Sequence, residues 1–165
     1  MSNLSAAKIS AVLLTLAASM VRAQEAPDLE RGKKIFRSVG ECVTCHGWPA
    51  DGKTGVHLRA PTGSNLRETA LDKDGLFEVI RCGIPGTPMP YHGRGAYRDQ
   101  SCYGMALSDF EDGGKPVRGK TFNDDDIENV VAYLQAHVIG KGSPTLEECV
   151  EFFEDPAAKA CSSLK

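Results

Sequence analysis

Two cysteines and a histidine stand together in Gly40–Pro49, GECVTCHGWP: Cys42, Cys45 and His46 in the pattern C-x-x-C-H. Three chemistries use such a pair. A redox dithiol sits at a helix start behind a strand, and no strand-like run precedes Cys42. A zinc site needs two further ligands in a matching cluster. Cys82 and Cys102 are 20 residues apart, and there is neither a second C-x-x-C nor an H-x₃₋₅-H. The third chemistry is covalent attachment of a c-type haem, for which C-x-x-C-H is the signal. Its logic is geometric: two thiols add to the two vinyl groups on one edge of the porphyrin, and the next residue supplies an imidazole to the iron. The expectation is one haem c held through Cys42 and Cys45, with His46 as axial ligand.

The opposite axial position needs a second group or stays open. Beyond residue 23 the chain holds two methionines, Met89 and Met105. Met89 lies in Ile84-Pro85-Gly86-Thr87-Pro88-Met89-Pro90. Proline on both sides removes two backbone donors, fixes φ at each ring and pushes Thr87 and Met89 into extended conformations. A stiff loop of this kind presents one side chain that has little entropy left to lose. Core filling, the usual task of methionine, does not need that framing, so Met89 is the expected distal ligand. Met105, in a polar loop, reads as packing. His92 is three residues from Met89 and is a possible replacement ligand.

These residues must be positioned by helices. Asp28 can cap a helix over Leu29–Phe36 whose apolar stripe includes Gly32; the glycine suggests a close helix crossing. Gly47–Arg67, with four glycines and two prolines, reads as loop. Asp72 can cap a second helix that ends before Gly83. Asn123 can cap a third, with Asp124, Asp125 and Asp126 favourably placed in its first turn and Gly140 past its end. Thr145 and Glu148 form a capping box for a short last helix. No strand-like alternation is evident. The fold class is small and all-α, with much loop.

The first 23 residues read as a cleaved signal peptide: Lys8, a 13-residue apolar run Ile9–Val21, and small residues around Ala23. The run is short of the roughly 20 residues that span a bilayer. Cleavage removes Lys8 and Arg22 and leaves 17 basic and 22 acidic residues, a net charge of −5. That balance speaks against nucleic acid or anionic lipid as the main partner. Export into an oxidising compartment, the periplasm of a Gram-negative bacterium, makes free thiols improbable. The four cysteines outside C-x-x-C-H, Cys82, Cys102, Cys149 and Cys161, allow three pairings. The expected organisation is residues 1–23 as signal, 24–142 as the haem domain with a long insert at 93–121, and 143–165 as a tail.

With these motifs in order, residues 27–140 resemble a class I c-type cytochrome: Gly32 and Phe36, then Cys42, Cys45 and His46, Pro61, Met89-Pro90 and Tyr133. The resemblance implies a first and last helix crossing at Gly32, with Phe36 beside Tyr133. It implies that the Pro61 carbonyl accepts from His46 Nδ1, although here Ala60-Pro61 replaces the usual Gly-Pro. Trp48 is a candidate for a haem edge or propionate contact. The insert departs from small members of that family. On this reading Cys82 pairs with Cys102 and clips the insert beside the ligand loop, while Cys149 pairs with Cys161 in the tail. Insert and tail resemble additions in cytochromes that serve quinoprotein alcohol dehydrogenases.

The function that follows is periplasmic electron transfer by one haem with His46 and Met89 ligation, without enzymatic activity of its own. Its partners would be a dehydrogenase or the bc1 complex as donor and an oxidase or reductase as acceptor. A permanent cytochrome subunit of a dehydrogenase complex is the alternative. An enzyme or gas sensor with a displaceable distal group is a third class.

Overall fold

The computed structural model describes residues 26–111 and 113–164; the expected signal peptide lies outside them. Five α-helices run in the order α1 Leu29–Lys34, α2 Val43–His46, α3 Lys73–Cys82, α4 Asp124–His137 and α5 Leu146–Phe153. Two short strands, β1 Tyr91–Gly93 and β2 Arg118–Phe122, fall between α3 and α4. Among the described residues no helix is long and apolar enough to cross a membrane.

The caps explain where the helices begin. Asp28 accepts from the Arg31 amide, Asp72 from Gly75 and Asn123 from Asp126. Thr145 and Glu148 satisfy each other's backbone amides in a reciprocal capping box. Helix α1 is shorter than its apolar stripe suggests. After Lys34 the chain widens into a π-turn over Ile35–Val39, with Gly40 N donating to Ile35 O. That turn buries Ile35 and Phe36 together.

Helices α1 and α4 cross at Gly32. A Cβ there would collide with the Asn129 carbonyl oxygen and lie 2.7 Å from Tyr133 Cβ, so only glycine permits the approach. Phe36 and Tyr133 meet next to the crossing, with ring centroids 6.0 Å apart. Ile127, Val130, Val131 and Leu134 of α4 complete the core with Ile35, Phe36, Leu76 and Phe122. Gly32→Ala is therefore expected to destabilise the fold by about 1–3 kcal/mol, the usual range for overpacking. Denaturant unfolding measures this, and an unchanged midpoint would show that the crossing tolerates a methyl group.

Two features depart from the expected organisation, an all-α fold with an appended tail. Strands β1 and β2 pair in parallel, with Tyr91 opposite Arg118 and Gly93 opposite Phe122. They are too short and irregular to leave an alternating pattern in the sequence. The tail, moreover, is part of the main core rather than an appendage to it. Cys149, Phe152 and Cys161 are buried there, and Lys33 Nζ reaches Glu154 and the Glu151 carbonyl at 2.7 and 2.8 Å. The disulfides are Cys82–Cys102 and Cys149–Cys161.

Candidate functional site

Cys42, Cys45 and His46 share one helical turn. His46 N donates to Cys42 O at 2.9 Å, which closes α2, and positions i, i+3 and i+4 of a helix fall on one face. All three residues line a cavity of about 340 Å³, within the size range of cofactor sites. Its walls are largely apolar: Phe36, Leu66, Leu76, Ile80, Val130 and Leu134 contribute from the flanking elements. Pro88, Met89 and Pro90 line it as well. The cavity thus joins the cysteine pair and imidazole of one helical turn to a methionine far along the chain.

Burial works against the two thiols as nucleophiles of a redox dithiol. Burial pushes the Cys42 thiol up to about 12, and proximity to Cys45 adds to the rise. Burial raises Cys45 too. Reactive dithiols need the opposite shift. Among the described residues no group of three or more His, Cys, Asp or Glu is placed to hold a metal ion.

Burial lowers the pKa of His46, an effect only partly opposed by its bond to Ser64. Nδ1 lies 2.9 Å from the Ser64 carbonyl oxygen. With Nδ1 protonated and donating, the Nε2 lone pair is left for a ligand. The expected acceptor was the Pro61 carbonyl, so this is a correction. Pro61 does line the cavity, but the chain turns so that Ser64 reaches the ring. Gly63 makes that turn possible. A Cβ on it would lie 2.7 Å from His46 Nδ1 and 2.9 Å from Cγ, and its amide donates to Cys45 O at 2.8 Å. A glycine four residues before Arg67 was visible in the sequence, but its pressing on the imidazole was not.

Trp48 is a second correction. It does not line the cavity. It is buried between Phe152 and Phe153 of α5, each with its ring centroid 5.8 Å away. Its role is to seat the tail on the core, and its indole N–H has no hydrogen-bond partner among the described residues.

Met89 is half-buried, and its backbone is held at both ends. Its amide donates to Thr87 Oγ1 at 3.2 Å, and its carbonyl accepts from Ile84 N at 3.2 Å. Met105 lies outside the cavity lining. His92 does line it, but in a fixed pose. Nδ1 lies 2.8 Å from the Lys120 carbonyl, and the ring stacks on Phe122 with centroids 4.7 Å apart. Gly119 closes against the same imidazole.

The sequence also left Arg67 unremarked. Its guanidinium is buried and bonds to three segments: the Pro49 carbonyl at 3.2 Å, the Gly142 carbonyl, and both carboxylate oxygens of Glu148 at 3.0 Å. It ties the loop after His46 to the end of α4 and to α5. An arginine in a loop carries no sequence signal for such a role.

Residues 27–107 match the family model described as cytochrome C oxidase, cbb3-type, subunit III. The match spans C-x-x-C-H and the Met89 loop and stops before α4. No curated protein and no solved structure matches the chain. The family match supports a c-type cytochrome, a haem-binding domain that serves electron transfer. The residues around the cavity fit such a group: two thiols and an imidazole on one helical turn, an apolar enclosure, and a thioether on a stiff loop.

Proposed function

We propose that this chain is a one-haem electron carrier that works outside the cytoplasm. In this reading Cys42 and Cys45 form the thioether links, and His46 and Met89 are the axial ligands. The observation that carries it is the convergence of those four side chains on one apolar cavity. Bound haem supplies a one-electron couple at its iron, and His/Met ligation raises its potential.

The protein's own contribution is positional. Ser64 fixes the tautomer and orientation of His46. Pro88 and Pro90 hold the Met89 backbone extended, so the thioether stays presented whichever charge the site carries. The apolar walls keep water out. With both axial positions filled by side chains there is no place for a substrate, which favours a carrier over an enzyme. Two disulfides in so small a chain suit an oxidising compartment, in line with a cleaved signal peptide over residues 1–23 and a periplasmic location. Donor and acceptor would be proteins that approach the cavity mouth, where Leu71 and Ile84 are both exposed and cavity-lining. A dehydrogenase or the bc1 complex fits as donor, an oxidase or reductase as acceptor.

The optical spectrum of the purified ferric protein tests the ligand set. A methionine-sulfur charge-transfer band is expected, and the ferrous form should not bind carbon monoxide. A missing band, or ready carbon monoxide binding, would remove Met89 from the iron.

A second reading, a permanent subunit of a larger redox complex, has one observation in its favour: the matched family is itself an oxidase subunit. Size-exclusion of native extract separates the two, since a small free species contradicts the subunit reading.

A further inference from the structure

Three separate ties run from residues 97–103 to the root of the Met89 loop. Tyr97 Oη donates to the Cys82 carbonyl at 2.6 Å. Tyr103 Oη donates to the Gly83 carbonyl at 2.7 Å. Cys102 is disulfide-bonded to Cys82. All three end on two consecutive residues, the last of α3 and the one after it.

That root sets the loop. Gly83 turns the chain at φ +64° and packs against the other end of the loop, where a Cβ would lie 2.7 Å from Pro90 C and Tyr91 N and 2.8 Å from Met89 O. Ile84 N then bonds Met89 O at 3.2 Å. Moving residues 82–83 therefore moves the backbone of Met89.

The ties are built rather than incidental. Tyr97 and Tyr103 adopt φ of +66° and +56°, a left-handed conformation that L residues disfavour and that persists only where the surroundings impose it. Tyr97 is buried against Tyr91 and Phe110, each 5.5 Å away and edge-on. These residues form a small core of their own with Cys82, Cys102 and Ala96. Burial, with the neighbouring phenols of Tyr103 and Tyr91, pushes Tyr97 up to about 12, so its hydroxyl remains a donor at working pH. An α-helix end does not require any of this, because its last carbonyls can be solvated.

We infer that the segment around Tyr97, Cys102 and Tyr103 is a strut that holds the Met89 loop closed and so keeps the thioether on the iron. Tyr97 and Tyr103 are positioning residues that act through Gly83. The inference rests on the proposed Met89 ligation and adds what maintains it.

The test is displacement of the distal ligand by exogenous imidazole in the ferric holoprotein, followed through the sulfur charge-transfer band. Tyr97→Phe/Tyr103→Phe keeps the rings and removes both hydroxyl ties. It should exchange ligand at about 10-fold lower imidazole, the shift that 1.4 kcal/mol produces. Cys82→Ala/Cys102→Ala should shift it further in the same direction. A variant lacking the Cys149–Cys161 bridge is the control for general loss of stability, and it should titrate like the parent. A parent protein without the sulfur band overturns Met89 ligation and the strut with it. A parent band with unshifted tyrosine variants, or with an equal shift in the tail control, overturns the strut alone.

Discussion

Replacing both Cys42 and Cys45 with alanine is expected to abolish covalent haem. After denaturing electrophoresis the parent chain should carry haem-linked colour and peroxidase stain, and the double variant none. Intact-mass measurement should give the bare polypeptide. The argument starts from α2: Cys42 and Cys45 lie on one face of a single turn together with His46, and both line the cavity. Burial raises both thiols above the ordinary cysteine range, which works against thiolate redox chemistry at this pair. Each single variant should keep one link and remain coloured. The double variant should also lose stability, because a bound cofactor stabilises the folded state by mass action. If haem stays with the double variant through denaturation, the C-x-x-C reading is wrong.

Arg67→Ala should produce the largest loss of stability from a single side chain outside the cofactor site, about 3 kcal/mol. Truncating one partner of a buried ion pair typically costs about 3–5 kcal/mol. The lower end applies because Glu148 is 25% exposed while Arg67 is 3% exposed, so water can partly solvate the remaining carboxylate. The variant also strands the buried Pro49 carbonyl, and an unsatisfied buried acceptor adds to the cost. Because total stability of a domain is of order 5–15 kcal/mol, the tail should detach early. Trp48 fluorescence reports that release directly, since its ring packs on Phe152 and Phe153. The double variant Arg67→Met/Glu148→Met removes both charges and should recover part of the loss. If Arg67→Ala unfolds at the parent's denaturant midpoint, the guanidinium is not what joins the tail to the core.

The helix starts were legible because capping is local. Asp28, Asp72, Asn123 and Thr145 each bond an amide three residues on. The glycine at the helix crossing was legible because nothing else in α1 favours a residue without a side chain. The strands were not. A parallel pair of three and five residues, separated by 24 others, is held by backbone bonds such as Tyr91 N to Val117 O at 2.8 Å, and such bonds leave no residue pattern.

The sequence by itself determined the motifs: a C-x-x-C-H turn, a Pro-Met-Pro loop and a glycine for a close crossing are encoded by residue type at short range. Only the tertiary structure decided which atoms surround those motifs. The acceptor of His46 Nδ1 is the Ser64 carbonyl rather than that of Pro61. Trp48 belongs to the tail and not to the cavity. Arg67 binds three segments, and two tyrosines hold the root of the Met89 loop. Each of these depends on where one loop passes another, and carbonyl oxygens are the same in every residue. A backbone acceptor therefore has no letter in the sequence, and its partner is set only when the chain closes around the site.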